Sequence, residues 1–290
     1  MHPMDDGQQR SFKVKFEGEG VDDYGGPFRE IFSQCAAELM RLSKKTEQDV
    51  SAEVVKDPET RCSLSLLMPS ANRVDGGGDD SYCFVLNPTL ARQKRVLQNK
   101  ADNGDVAADT AITGRVSLFF EMLSFFGQML GIAMRNRVSF PVDLSRAVWK
   151  PLVGQKLTMA DLDSVDSQVK PMLGQIKLLA EMGDDMLDSA ELQWSTRLTD
   201  GRYVGVGGHD PNETVLSKDI DAYIAGVVQT RLAESAEAVE AVRKGLCSVV
   251  PRHILSLLTW KELRNMVSGR KEINIDVLAQ CTVYILTPMY

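Results

Sequence analysis

No Gly-x-x-x-x-Gly-Lys-Ser/Thr sequence occurs in this chain, no two cysteines form a Cys-x-x-Cys pair, and the only histidines are His2, His209 and His253. Each shortage excludes a chemistry. Without the lysine and the helix that should follow it, a glycine-rich turn has no phosphate cradle. Gly18-Glu-Gly20 and Gly25-Gly26 therefore read as turns, as does Gly205-Val-Gly-Gly208, which runs into His209-Asp-Pro. Three scattered histidines do not reach the ligand spacings of a zinc site, so no metal and no cofactor is expected.

Positive charge is also short. Lys and Arg total 33 against 40 Asp and Glu, a formal net charge of −7, so no chain-wide field exists to hold nucleic acid or an anionic membrane. The N-terminus has no basic stretch leading into an apolar core, so no secretory signal is visible. One run, Val116 to Met134, is apolar enough to raise the question of a membrane span. It contains Glu121 and Gln128 and ends against Arg135 and Arg137, which favours a buried helix. Five cysteines, at 35, 62, 83, 247 and 281, are odd in number and widely spaced, as suits free thiols in a reducing, cytoplasmic setting. The expectation is a soluble protein whose partners are other proteins.

What is present is a 290-residue chain, 43% hydrophobic, long enough to bury a sizeable core. Phe12, Val14 and Phe16 alternate with Lys13 and Lys15, the period of a strand. After Gly25-Gly26 and Pro27, helical spacing appears at Phe28, Ile31, Phe32, Cys35 and Leu39. Leu64 to Met68 and Tyr82 to Leu86 read as short strands around Gly76-Gly-Gly-Asp-Asp80, with Pro69 and Asn87-Pro88 as stops. Arg95 to Gly114 is polar, carries Asp102, Asp105 and Asp109, and reads as a mobile acidic surface insertion.

Helices dominate from there. They are expected over Ser117 to Met134, Ser145 to Val153 and Gln168 to Met182, the last preceded by a Thr158/Asp161 capping box. One long helix is expected from Lys218 to Leu246, with Ile220, Tyr223, Ile224, Val227 and Val228 as its apolar stripe. Thr259 and Glu262 form a second capping box, and Gly269 closes that short helix. Paired acids at Asp22-Asp23, Asp79-Asp80 and Asp184-Asp185 fall in turns and read as solvated.

Phe12-Lys-Val-Lys-Phe-Glu-Gly-Glu-Gly20 followed by Asp22-Asp-Tyr-Gly-Gly-Pro-Phe-Arg-Glu30 resembles the start of a HECT domain, the catalytic module of one class of ubiquitin ligases, and most of all the large HERC type. The resemblance continues through Val148-Trp149-Lys150, Leu157-Thr158, Val165-Asp166 and Leu255-Ser-Leu-Leu258 to about Tyr284. It implies an α+β fold, a mainly helical HECT N-lobe of a bilobal domain, with small β-sheets and an inserted small subdomain. The implied division is a tail over 1–11, a large subdomain over 12–165 that includes the 95–114 insertion, the small subdomain over 166–222, and the rest of the large subdomain over 223–290. The hinge and the C-lobe would follow. In the family the small subdomain docks the ubiquitin-conjugating enzyme, and the ubiquitin-accepting cysteine sits in the C-lobe in a Thr-Cys-Phe setting, which the chain to Tyr290 does not reach.

Among the apolar group Leu173, Ile176, Leu179, Met182, Met186, Leu187, Leu192 and Trp194, the resemblance implies a groove for an aromatic side chain of the conjugating enzyme, with Tyr223 at a position where the family places an aromatic residue on that groove. Arg29-Glu30 is the family's recurrent pair and reads as a structural ion pair or cap. Cys281 shares a helical face with Val277 and Leu278, lacks a Thr-Cys-Phe setting, and reads as a buried apolar residue rather than a nucleophile. The expected function is recruitment of ubiquitin-charged conjugating enzyme for transfer to a C-lobe cysteine and then to a lysine of a substrate held by other regions. Two alternatives remain open: a non-catalytic module that sequesters a conjugating enzyme or another helix-presenting partner, and an unrelated hydrolase built on one of the five cysteines.

Overall fold

A computed structural model describes residues 11–18, 25–42, 62, 64–89, 91, 93, 110–183, 191–270 and 275–281. The first helix, α1, spans Gly26–Met40 with Pro27 in its opening turn, where a missing N–H costs nothing. Gly25 precedes it at φ 112°, a conformation that a side chain would strain. The buried face of α1 carries Phe28, Phe32, Ala36 and Leu39 at the expected helical spacing. Phe32 meets Phe140 edge-on at 5.6 Å, a favourable aromatic geometry.

Phe12 to Phe16 do not form the expected strand. Phe12 packs on Phe28 with ring centroids 4.8 Å apart, Val14 lies against the core, and the segment is in no ladder. The alternation records sidedness against the core, which strand pairing is only one way to produce.

β1 (Leu67–Pro69) and β2 (Phe84–Leu86) pair antiparallel in the register Leu67↔Leu86, Met68↔Val85, Pro69↔Phe84. The short helix α2 (Ala71–Asp75) lies between them, capped by the Ser70 hydroxyl, which accepts from the Arg73 N–H. The long helix α3 spans Thr110–Asn136, so residues 110–114 are helical; residues 95–109 of the expected insertion, and the tail over 1–10, lie outside the described residues. By length and composition α3 could cross a membrane, but half of its apolar window is buried, with Phe119, Leu123, Phe126 and Leu130 in the core. That burial supports its reading as a core helix.

α4 (Arg146–Leu152) inserts Trp149, fully buried, whose indole N–H donates to the Leu144 carbonyl at 3.1 Å. α5 (Met159–Asp163) carries the Thr158/Asp161 capping box itself, so the box serves this short helix and not the longer α6 (Val169–Met182) that follows. β3 (Ser195–Arg197) and β4 (Tyr203–Gly205) make a second antiparallel pair, Ser195↔Gly205 to Arg197↔Tyr203. A 3₁₀ turn at Ser217–Asp219 leads into α7 (Ile220–Leu232). Next come α8 (Ala236–Val249), α9 (Arg252–Leu255), α10 (Trp260–Ser268) and α11 (Ile275–Gln280). This is a mainly helical α+β fold with two small sheets.

The single helix expected over Lys218 to Leu246 is two helices, broken at residues 233–235. Its halves serve different cores. α7 turns Ile220, Tyr223 and Val227 toward a small cluster that also holds Leu162, Val169, Leu173, Trp194, Val206 and Val215. α8 turns Ala238, Val239, Val242 and Leu246 toward the large cluster built around α1, α3, α4 and α10. One straight helix could not bury both stripes.

α3 and α8 cross at near backbone contact. A Cβ added at Gly127 would lie 1.9 Å from the Val242 carbonyl oxygen, and one at Gly245 would lie 1.8 Å from that of Ser124. Gly245→Ala is therefore expected to lower the unfolding free energy by about 3 kcal/mol in urea titrations, through overpacking against backbone that has no room to move. Gly174→Ala is the control, because an added Cβ there meets nothing within 4 Å and the residue lies inside α6. It is expected to stabilise by about 0.5 to 1 kcal/mol. Equal effects from the two substitutions would show that helix propensity, not close approach, governs these glycines.

Candidate protein-docking site

The smaller body is built from α5, α6, the β3–β4 hairpin and α7. α6 supplies its two faces. Val169 and Leu173 are buried, and Ile176 and Ala180 pack against the same cluster at helical spacing. Leu178 and Met182, one turn apart, point outward at 60% and 68% exposure, with Met172 at 40%. Leu179 is half-buried between the two faces. Lys177 of the outer face pairs with Asp221 of α7 at 3.5 Å. Both side chains are well exposed, so the pair is worth little in stability.

Trp194 and Tyr223, nominated from sequence for the groove, are buried at 3% exposure each. Their rings meet edge-on at 5.8 Å. Trp194 also stacks on the His209 imidazole at 3.7 Å, and His209 Nδ1 lies 3.1 Å from Glu213 Oε2. The backbone of Trp194 is engaged on both sides: its N–H donates to the Glu213 carbonyl and its carbonyl accepts from the Val206 N–H, both at 2.9 Å. The Tyr223 hydroxyl donates to the Ser195 carbonyl at 3.0 Å, and burial pushes its pKa up. These two side chains form the floor beneath the surface, not the surface itself.

The structure thus brings Leu173, Ile176, Trp194 and Tyr223 together as one small core, leaves Leu179 at its edge and places Met182 in solvent. Met186 and Leu187 lie outside the described residues. Leu178, Met172 and the 70% exposed Tyr203 were not nominated from sequence. The i, i+4 relation of Leu178 to Met182 was the available signal.

The cysteines offer little to a nucleophilic mechanism. Cys62 is buried and its thiol is pushed up to about 11 by that burial, with Arg73 pulling weakly the other way. Burial, and then the Glu38 charge, also raise the Cys35 thiol, and a raised thiol is protonated and unreactive at neutral pH. Cys281, expected in a buried helical face, is exposed in the turn after α11. The helical spacing to Val277 and Leu278 does not extend to it, because α11 ends at Gln280. At the start of α1, Glu30 accepts from the Gln34 side chain at 3.0 Å, one helical turn on. Among the described residues no group of three or more His, Cys, Asp or Glu could hold a metal ion.

Residues 75–289 match the HECT-domain (ubiquitin-transferase) family model, and the chain belongs to that family. Its relatives include the E3 ubiquitin-protein ligase HERC2 of Mus musculus and of Homo sapiens, each 28% identical over 275 residues. The probable E3 ubiquitin-protein ligase HECTD4 of Homo sapiens is 29% identical over 295 residues. These alignments cover 94 to 95% of this chain but only 5 to 6% of each relative, so the chain spans about a twentieth of their length.

The approach to the smaller body is pinned by one carboxylate. Asp161, its side chain 1% exposed, accepts from Lys150 of α4 at 2.9 Å and from the Thr158 N–H and hydroxyl at 2.8 Å. Burial would raise its pKa, but the Lys150 and Thr158 hydrogen bonds outweigh that and hold it below the ordinary 3.8. A depressed carboxyl stabilises the fold at pH above its unfolded value, and that contribution is lost as pH falls through the folded value. In thermal melts from pH 7 down to pH 2.5, Asp161→Asn is expected to lower the melting temperature most at neutral pH, with the gap to the parent closing below about pH 4. A gap that stayed constant across that range would show that the ionised carboxylate contributes nothing beyond its hydrogen-bonding shape.

Proposed function

We propose that this chain is the N-lobe of a HECT-type ubiquitin ligase and that it recruits a ubiquitin-charged conjugating enzyme through the smaller body. The observation that carries this reading is an outward apolar face on α6, Leu178 and Met182 with Met172, outside the small core formed by the described residues. A large exposed apolar side chain on a rigid helix is the kind of anchor that dominates a protein interface, and methionine adapts to a partner's shape. The family supports the partner's identity, and the names of the relatives are those of ubiquitin ligases.

Recruitment contributes by proximity. Holding the charged enzyme beside the accepting lobe turns a bimolecular transfer into an effectively intramolecular one. Substrate would be held by other regions of a longer protein, and the free thiols fit work in the cytoplasm.

The docking test separates surface from floor. Leu178→Asp and Met182→Asp are expected to weaken binding of conjugating enzyme about thirtyfold by calorimetry while leaving the melting curve unchanged, since both side chains are already in solvent. Trp194→Ala should instead cost about 3 kcal/mol or more of stability by emptying the small core. Undiminished binding by both aspartate variants would remove α6 from the interface.

A second test concerns transfer itself. Given activating enzyme, conjugating enzyme and ATP, the chain is expected to form no reducing-agent-sensitive ubiquitin adduct, because Cys35 and Cys62 are held protonated and Cys281 lies between Gln280 and Thr282. An adduct abolished by Cys281→Ala would make this exposed thiol an acceptor and overturn the recruitment-only assignment.

A further inference from the structure

Among the described residues the two apolar clusters do not merge, and hydrogen bonds and ion pairs join the bodies. Besides the Lys150–Asp161 ion pair between α4 and α5, at 2.7 Å, three ties cross the seam among the described residues. At the turn between α5 and α6, the almost fully buried Asn72 donates its backbone N–H to the Val165 carbonyl at 2.9 Å and its side-chain amide to the Asp163 carbonyl at 3.0 Å. Its side-chain oxygen accepts from the Ser167 N–H at 2.7 Å. At the hairpin tip, the Thr89 hydroxyl bonds Asp200 at 3.1 Å, and Arg202 donates to the Thr89 carbonyl at 3.3 Å. The third tie is the elbow between α7 and α8. There Glu234 is gripped by the smaller body while its neighbour Ser235 donates to the Leu86 carbonyl of β2 in the larger one at 3.1 Å.

Arg231 sets that grip. Its side chain is 5% exposed, and each arm of the guanidinium is spent on a different strand of chain: Nε on Glu234 at 3.1 Å, Nη1 on the Arg197 carbonyl at 2.8 Å, Nη2 on Asp166 at 2.9 Å. Glu234 returns a bond to the hairpin by accepting from the Thr199 N–H at 2.9 Å. A planar fork with fixed donor directions holds three segments at set angles, which a lysine cannot do. Beside it the seam is open. A cleft of about 330 Å³ lies between Val85, Val148 and Val239 on the larger body and Leu162, Thr199 and Arg231 on the smaller, so apolar packing between the two is incomplete there.

We propose that Arg231 is a positioning residue: with Glu234 it fixes the angle of the α7–α8 elbow, and so the orientation of the smaller body, across a seam that opens without unfolding either core. On opening, water takes the place of each polar partner, whereas each core keeps its buried apolar surface throughout. The consequence for recruitment rests on the docking reading above, since turning the smaller body re-aims Leu178 and Met182.

Amide hydrogen exchange resolved to single residues tests this on the full chain. In the parent protein the seam amides of Thr199 and Ser167 are expected to exchange well before the Val206 amide of the small core and the amides of α3. Arg231→Met and Glu234→Ala are each expected to speed Thr199 exchange roughly tenfold or more, with Arg231→Lys between parent and Arg231→Met, while Val206 and α3 stay protected. The proposal is overturned if the seam amides of the parent exchange together with the cores, which would make the chain one cooperative unit. It is equally overturned if Thr199 exchange is unmoved by folded Arg231→Met or Glu234→Ala. Should neither variant fold, the parent's order of exchange alone decides. No conjugating enzyme enters the experiment, so its outcome and that of the docking test stand apart.

Discussion

The crossing of α3 and α8 at Gly127 and Gly245 is the constraint on which the larger body depends. Each glycine faces a backbone carbonyl of the other helix, at Val242 and Ser124, so neither can be replaced by a residue with a side chain without moving a helix. Close approach brings the inward faces of both helices into one continuous cluster, with Leu123, Phe126 and Leu130 of α3 against Val242 and Leu246 of α8. Dispersion contacts fall off steeply with separation, so a shift of even an ångström would forfeit much of their value. α1, α4 and α10 then pack around this pair, and the β1–β2 ribbon joins them through Leu67, Phe84 and Leu86.

That arrangement explains why the chain breaks at residues 233–235. α8 is committed to α3, and α7 must bury Ile220, Tyr223 and Val227 elsewhere. Nothing in Ala233-Glu-Ser-Ala236 announces a stop, since it contains neither glycine nor proline and every residue tolerates a helix. The break is a tertiary decision, enforced by Arg231, Glu234 and Ser235, whose partners outside the elbow lie 32 to 149 residues away in sequence. Signals that act within four residues were legible: Pro27 at the start of α1, the Thr259/Glu262 box of α10 and the Thr158/Asp161 box, though the last caps a shorter helix than its position promised. Phe12 to Phe16 shows the same limit from the other side, because a period of two records which residues face the core and not whether a neighbouring strand exists.

The residues nominated for the candidate site fall at different depths in the structure. The resemblance nominated Leu173, Ile176, Trp194 and Tyr223 together and the structure packs them in one cluster, yet the sequence could not say which of them lies at the surface. Trp194 is enclosed because His209 stacks on one face, Tyr223 meets it edge-on and both backbone polar groups are bonded. These contacts come from loops and a second helix, and no local pattern encodes them. The residues left in solvent, Leu178 and Met182, differ from their buried neighbours only by their angle around α6. Sequence defines that angle relative to the helix, and only the packed fold defines it relative to water.

A body with its own small core, tied to a larger one by hydrogen bonds and ion pairs, behaves differently from a subdomain fused through apolar packing. Apolar surface pulled apart must be rehydrated at about 25 cal/mol for each Å², so a fused interface opens only at a cost near that of unfolding. Polar ties lose far less on opening, because water replaces each partner, and the net value of one such bond is about 1 kcal/mol. The buried Arg231 and Glu234 are the exception. Burial drives the Glu234 carboxyl above its ordinary range even as the Arg231 charge and the Thr199 hydrogen bond pull it down, so the elbow holds ions that are stable only while they face one another. Such a pair contributes little to overall stability and much to a single geometry. In the proposed hinge, the pair sets where the outward face of α6 points while each core keeps its own buried apolar surface.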